Sequence, residues 1–308
     1  MAIALQAIPA VVILLTMPFL PRSPRWLVQQ GRLSEASEAL TLLRGSQTAE
    51  KELAEIVEEF KAECAVDSGS WGEVFSGRMA LLVGIGASLQ MLQQLVGMNA
   101  FMYFGPRVFK HMNLDANLFQ TIANATNMVF TLPALYFIEK TGRRSLFIAG
   151  ALGMAVSNFA LGFLGLYGTT GSGENIEPSS PLVGAVLAAM VLCFIASFAS
   201  TWGPAVWVYC AEMFPLRHRA QCVGVTTMTN WVGNFLIAQF SPILMTAIGF
   251  GTFLLFGAFC IVALALGIWL PETRGVPLEQ IGTCFDERFG LVEGKEDTEG
   301  YGAVSKRL

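Results

Sequence analysis

The chain is 308 residues long, 54% hydrophobic and only 14% charged, with a formal net charge of −4. Soluble domains carry about 25% charged residues, so this composition excludes an ordinary water-soluble globule and points to lipid. There is no Gly-rich phosphate loop, nucleophile elbow or zinc signature, so no enzyme, no cofactor or metal and no nucleic-acid partner is expected.

A membrane-spanning helix needs about 20 predominantly apolar residues. Seven segments qualify, near 2–20, 79–104, 118–138, 145–168, 182–210, 221–248 and 250–270. The first lacks a basic leader, and charge follows rather than precedes it, so residues 1–20 read as a truncated transmembrane helix and not as a signal peptide. Residues 21–78 are a loop of different material. Leu33, Ala36, Leu40 and Leu43, then Leu53, Ile56, Val57 and Phe60, fall at helical spacing and predict short amphipathic helices, with breaks at Gly45 and Gly69. Ten acidic residues between Glu35 and Glu73 form a solvated face. Residues 79–270 then hold six spans, and 271–308 form a tail.

Seven spans put alternate loops on opposite sides. Of the 19 Lys and Arg residues, 17 lie in the loop 21–78, in 139–144, in 211–220 and in the tail, leaving Arg107 and Lys110 for the other side. The positive-inside rule makes the rich side, and with it the C-terminus, cytoplasmic. The outer loop 168–181 is flexible by composition, and the polar end 285–308 is expected to lack order. Cys64, Cys193, Cys210, Cys222, Cys260 and Cys284 show no ligand spacing and read as small hydrophobes. His111 and His218 have no partner at metal spacing.

The chemistry lies in amides placed inside the apolar segments. Gln90, Gln93, Gln94 and Gly97 share one helix face, and Asn99 follows a glycine where unwinding is tolerable if it lines a cavity. Asn124, Asn127 and Thr131 form a second stripe, and Thr227, Asn230 and Asn234 a third, beside Trp231. In TWGPAVW, Gly203-Pro204 is a helix breaker and Trp207 an aromatic that can turn inward. Polar glue between helices explains part of this. Amides plus Trp on four helices fit better a wet cavity for a neutral polyol or sugar, whose hydroxyls both donate and accept and whose C–H face suits an aromatic plate. No Asp, Glu, Lys or Arg lies deep in a segment. Charge gathers at helix ends instead: Glu139 with Arg143 and Arg144, and Glu212 with Arg219. These are expected either to anchor the helices at the interface or to act as a cytoplasmic gate of ion pairs.

These stretches resemble the sugar-porter family of the major facilitator superfamily, with a fungal hexose-transporter flavour in TWGP and FPLRHR. QQLVGMNAFMYF is similar to the family's seventh-helix signature, EKTGRRS to its E/D-R-x-G-R-R loop with Lys140 in place of Arg, GPAVWVYCAEMFPLRHR to its tenth helix, TNWVGNF to its eleventh, and LPETRGVPLEQI to the exit from its twelfth. PRSPRWL resembles the exit from the sixth helix, with Arg22 where Glu is usual, which should loosen or re-pair that motif.

The resemblance implies an all-α membrane fold: the C-terminal six-helix half of the superfamily, preceded by part of helix six and a cytoplasmic helical loop. It implies sugar contacts at Gln93, Gln94, Asn99, Asn127, Trp207 and Asn234, with Asn230 and Trp231 nearby, and a cytoplasmic gate of Glu139, Arg143, Arg144, Glu212 and Arg219. The implied function is alternating-access transport of a neutral sugar, a hexose first, as a multi-pass protein of the plasma membrane. Its expected partners are the sugar, the bilayer, coupling protons if it is a symporter, and a missing N-terminal half. A transporter-like sugar sensor and an inactive fragment are the alternatives.

Overall fold

The computed structural model describes residues 7–65, 70–102, 115–170, 177–215, 217–276 and 278–289. His111, Arg107, Lys110, Gly69, the centre of the outer loop and the tail beyond 289 lie outside them. The chain divides into two compact units, Met1–Ser68 and Gly69–Leu308.

The first unit begins with α1 (Ala7–Thr16) and a 3-10 turn (Met17–Phe19). Three helices follow: α2 (Pro24–Gln29), α3 (Leu33–Arg44) and α4 (Ser46–Ala65). Pro24 sits at the first helical position, where its missing N–H costs nothing. Gly45 ends α3 at a φ of 84°, as its place in the sequence predicts. The unit's core is Leu27, Val28, Ala36 and Ala39, with Leu53, Ile56, Val57 and Phe60 packed against it. The α3 stripe is only half used. Ala36 and Leu40 are buried, whereas Leu33 and Leu43 are exposed, because Ala39 turns the buried face by a residue. Arg22 stacks on Trp26, 5.6 Å from the ring centroid.

The second unit holds the long helices. A single turn, α5 (Trp71–Val74), precedes α6 (Gly77–Leu95), and a short helical stretch at 98–102 continues it after a break. Then come α7 (Ala116–Thr141) and α8 (Arg143–Gly168), followed by α9 (Pro181–Ser200) and α10 (Trp202–Met213). The unit closes with α11 (Arg219–Ile248), α12 (Gly251–Trp269) and α13 (Leu278–Phe289). Across the outer loop, β1 (Thr169–Thr170) pairs antiparallel with β2 (Glu177–Pro178).

Five described spans, 77–102, 143–168, 181–213, 219–248 and 251–269, are long and apolar enough to cross a membrane. α7 has the length, with 26 residues, but carries Asn117, Gln120, Asn124 and Asn127 on it. Asp115 caps α7 by accepting from the N–H groups of Asn117 and Leu118. Ser180 caps α9 in the same way, with Pro181 behind it.

α8 is the spine: it packs along α12 and α9, while α6 packs on α11 and α9 on α7. Lipid gives helices no hydrophobic reason to associate, so close packing must do it. Gly257 of α12 would place a Cβ 3.0 Å from the Phe159 ring, and Gly267 would place one 3.0 Å from Phe147, so glycine lets these backbones approach. The sequence put residues 285–308 in a tail without order. Residues 285–289 instead complete α13, whose Ile281 and Phe285 are buried in the core, because its few apolar residues fall on one face.

Candidate functional site

Two breaks shape the site. α6 stops at Leu95, and Gly97 takes a φ of 98°, a conformation costly for any residue with a Cβ. α9 stops at Ser200, and Thr201 turns the chain with φ −136° and ψ −88°. That second break falls two residues before Gly203-Pro204. Proline is tolerated in the first turn of a helix, so the pair sits inside the start of α10 rather than at the kink itself.

Between the breaks runs a chain of amides. Asn99 donates from Nδ2 to Gln94 Oε1. Gln94 Nε2 donates to Asn230 Oδ1 at 3.0 Å. Asn230 Nδ2 donates to Gln90 Oε1 at 2.7 Å and to Gln93 Oε1 at 2.8 Å. Gln93 Nε2 ends the chain on the backbone carbonyls of Trp202 and Gly203, at 2.8 and 2.9 Å. Gln90, Gln93, Gln94 and Asn230 are all buried. The structure therefore joins four predicted residues, Gln93, Gln94, Asn99 and Asn230, across α6, α11 and the start of α10. Gln90, which shares the α6 face but was not among the expected sugar contacts, joins the same chain of hydrogen bonds.

The other four predicted contacts lie on α7, α10 and α11. Asn127 is half-buried on α7, where its carbonyl accepts from Thr131 Oγ1 at 2.7 Å. Asn234 is half-buried one helical turn beyond Asn230. Trp207, 42% exposed, and Trp231, 65% exposed, do not turn into the packed interior of this unit. Trp202 does: it is fully buried and donates from Nε1 to the Phe147 carbonyl at 2.9 Å.

The charged residues form a second cluster, where α8 begins and α10 and α12 end. Arg143 Nη2 meets Glu212 Oε1 at 2.6 Å, with side-chain exposures of 13% and 19%. Thr273 Oγ1 donates to the other Glu212 oxygen at 3.1 Å. Glu272, unassigned by sequence, is central. Its carboxylate accepts from the N–H groups of Arg143 and Arg144 at 2.8 and 3.1 Å, and so caps α8. It also accepts from the N–H groups of Thr273 and Arg274. An anion at a helix N-terminus also meets the positive end of the macrodipole. Gly142 makes room for it: its φ is 95°, and a Cβ there would lie 2.6 Å from Glu272 Oε2. The available signal was position, since Glu272 is the first charge after the last span, within LPETRG.

Arg144 donates to the Ile268 carbonyl at 2.7 Å and Arg219 to the Phe214 carbonyl at 3.2 Å. Among the described residues, Glu139 is exposed and makes no ion pair. A third group was also not foreseen. Glu73 meets His218 Nε2 at 2.8 Å and Arg217 Nη2 at 3.4 Å. The hydrogen bond to His218, aided by the Arg217 charge, holds the Glu73 carboxyl below its ordinary value of 4.5.

Comparison with known proteins places the chain in a family. The family model described as "Sugar (and other) transporter" matches residues 1–285. High-affinity glucose transporter 1 of Candida albicans is 34% identical over 303 residues, 92% of this chain and 55% of its own length. The xylose transporter XylE from E. coli, in an inward-open conformation, superposes with a TM-score of 0.70 at 28% identity, over 91% of this chain and 55% of that one. The same transporter, described as a proton:xylose symporter bound to 6-bromo-6-deoxy-D-glucose, gives a TM-score of 0.66 at 28% identity. The chain thus spans about half the length of the curated relatives it matches.

Proposed function

The chain belongs to the sugar (and other) transporter family, as an all-α, multi-pass integral membrane protein of the major facilitator fold, and from that premise we propose that it recognises a neutral hexose and moves it by alternating access. The observation that carries this reading is the amide chain from Asn99 to the Trp202 carbonyl. It consists of neutral donors and acceptors that satisfy one another. A sugar hydroxyl, which both donates and accepts, can replace one amide partner with another at little net cost in hydrogen bonds. A carboxylate or ammonium group would enter with no opposite charge to meet it there.

The exposed indoles of Trp207 and Trp231 and the half-buried Asn127 and Asn234 then offer further contacts to the ligand. Relatives nearly twice as long support a working unit with a second, N-terminal half, against which the exposed faces of α7 and α11 would close. The Arg143–Glu212 pair and the Glu272 cap tie three helix ends together. As gate elements they favour the state in which those ends are held together. Lys and Arg distribution supports a cytoplasmic C-terminus, uptake of an external hexose would place the protein in the plasma membrane, and the proton:xylose symporter among the solved neighbours supports protons as the coupling ion if it is a symporter.

The test is labelled-hexose uptake in hexose-uptake-deficient yeast, with the chain expressed behind the N-terminal half of a related glucose transporter. Saturable uptake is expected, and Gln93→Ala or Asn99→Ala should lower it at least tenfold with membrane expression unchanged. Unaltered uptake in both variants removes these residues from the site. Saturable uptake by this chain alone overturns the two-half reading.

A further inference from the structure

Asn158 stands in the middle of α8, buried completely among apolar neighbours. Its Nδ2 donates to the Val96 carbonyl at 3.3 Å and to Cys260 Sγ of α12 at 3.4 Å. The nitrogen, not the oxygen, must face Val96, because a carbonyl only accepts. That carbonyl is one the break in α6 leaves over. In a continuous helix the Ala100 N–H would bond it, but here Ala100 donates to the Gly97 carbonyl at 3.1 Å. A carbonyl stranded inside a bilayer is costly, and Asn158 supplies the replacement donor.

The other side of the break is fixed by shape. A Cβ on Gly97 would lie 2.5 Å from the Phe256 ring. Asn158 makes its contribution at a cost, since its Oδ1 is buried with no hydrogen-bond partner among the described residues. An apolar side chain would avoid that cost, so the amide is explained by what its nitrogen holds.

We propose that Asn158 is a positioning residue: by holding the Val96 carbonyl it sets the geometry of the break in α6, and so where Asn99 stands relative to Gln94. This rests on the reading of Asn99 and Gln94 as sugar contacts. Asn158 acts through the backbone of α6 and does not touch the sugar.

The test has two readouts. Hydrogen exchange of the purified chain in detergent is followed for residues 95–102 in the parent, in Asn158→Leu, which keeps bulk without a donor, and in Cys260→Ala, which removes the other acceptor. Asn158→Leu should speed exchange at 98–102 at least tenfold and leave peptides of α12 unchanged, while Cys260→Ala leaves 98–102 as in the parent. Equal exchange in Asn158→Leu overturns the proposal. If that variant does not fold, the parent decides: amides at 98–102 as protected as those at the centre of α8 support the pin, and amides exchanging like a frayed end overturn it. In the uptake assay, Asn158→Leu should raise KM at least fivefold with Vmax within twofold. Faster exchange with KM unchanged overturns the positioning role. Absence of uptake in the parent overturns the sugar reading and leaves the exchange result to judge the pin alone.

Discussion

At the scale of single residues, Asn230 is the branch point of the amide chain. It accepts from Gln94 and donates to Gln90 and Gln93, so removing it takes one hydrogen bond from each of three glutamines. Interhelical hydrogen bonds in membranes average about 0.6 kcal/mol and reach about 1.7, so Asn230→Leu should cost about 2–3 kcal/mol, measured by denaturant unfolding in detergent. A loss no greater than that of an exposed substitution would show that the amides do not hold one another. Glu73 gives a second expectation. Its carboxyl is held below the ordinary value of 4.5 by His218 first and Arg217 next. A depressed carboxylate contributes stability that is present above its unfolded value and lost as pH falls through the folded one. Protease cleavage at 71–76 should therefore rise below that range, and Glu73→Gln should flatten the response.

The sequence also shows its limits at this scale. The spacing of Gln90, Gln93 and Gln94 identified their shared face, because helix period alone decides it. It did not disclose that Gln93 reaches carbonyls more than a hundred positions away, or that Glu272 crosses to α8. Those are facts of which helices pack together, and no local pattern encodes them. Trp207 and Trp231 mark the reverse case: an aromatic beside a polar stripe says that a residue is available, not which way the packing leaves it facing.

Among elements, the helices were legible almost to their ends. The expected 145–168 and 250–270 became Arg143–Gly168 and Gly251–Trp269, since a long apolar run has few alternatives in lipid. α13 was not legible, being short and polar on most of its surface. Arg78 Nε meets Asp286 at 2.6 Å, and the Arg288 guanidinium donates to the Trp269 carbonyl at 3.1 Å, so polar contacts fix what Ile281 and Phe285 bury. Truncating a buried Phe to Ala costs about 3–5 kcal/mol. Phe285→Ala should accordingly release α13, seen as early tryptic cleavage after Arg288. A cleavage rate equal to that of the parent would mean that the ion pair alone suffices.

For the whole molecule, composition points to lipid, and the charge distribution supports the proposed orientation. With 17 of 19 basic residues in one set of loops, the proposed plasma-membrane orientation predicts that an epitope at residue 308 is reached only after permeabilisation, whereas one in the 171–176 loop is reached in intact cells. Accessibility in the opposite sense would invert the topology. The membrane spans needed only the length of the apolar runs, whereas the fold class and the family needed the ordered motifs. The site needed coordinates, because it is assembled from helices far apart in the chain.

One feature of that assembly has optical weight. Phe289, Phe285, Tyr209, Phe147 and Trp202 lie in file, with successive ring centroids 5.9, 6.1, 5.5 and 5.1 Å apart and each pair at a fixed tilt. The file runs from the last helix to the residue whose carbonyl receives Gln93. Rings locked in a dissymmetric array give near-ultraviolet circular dichroism that fades when packing loosens. Trp202 at the far end of the column and Trp269, whose ring centroid lies 4.4 Å from that of Phe289, are thus built-in chromophores: loosening α13 should dim a tryptophan band while the helical far-ultraviolet signal stays constant.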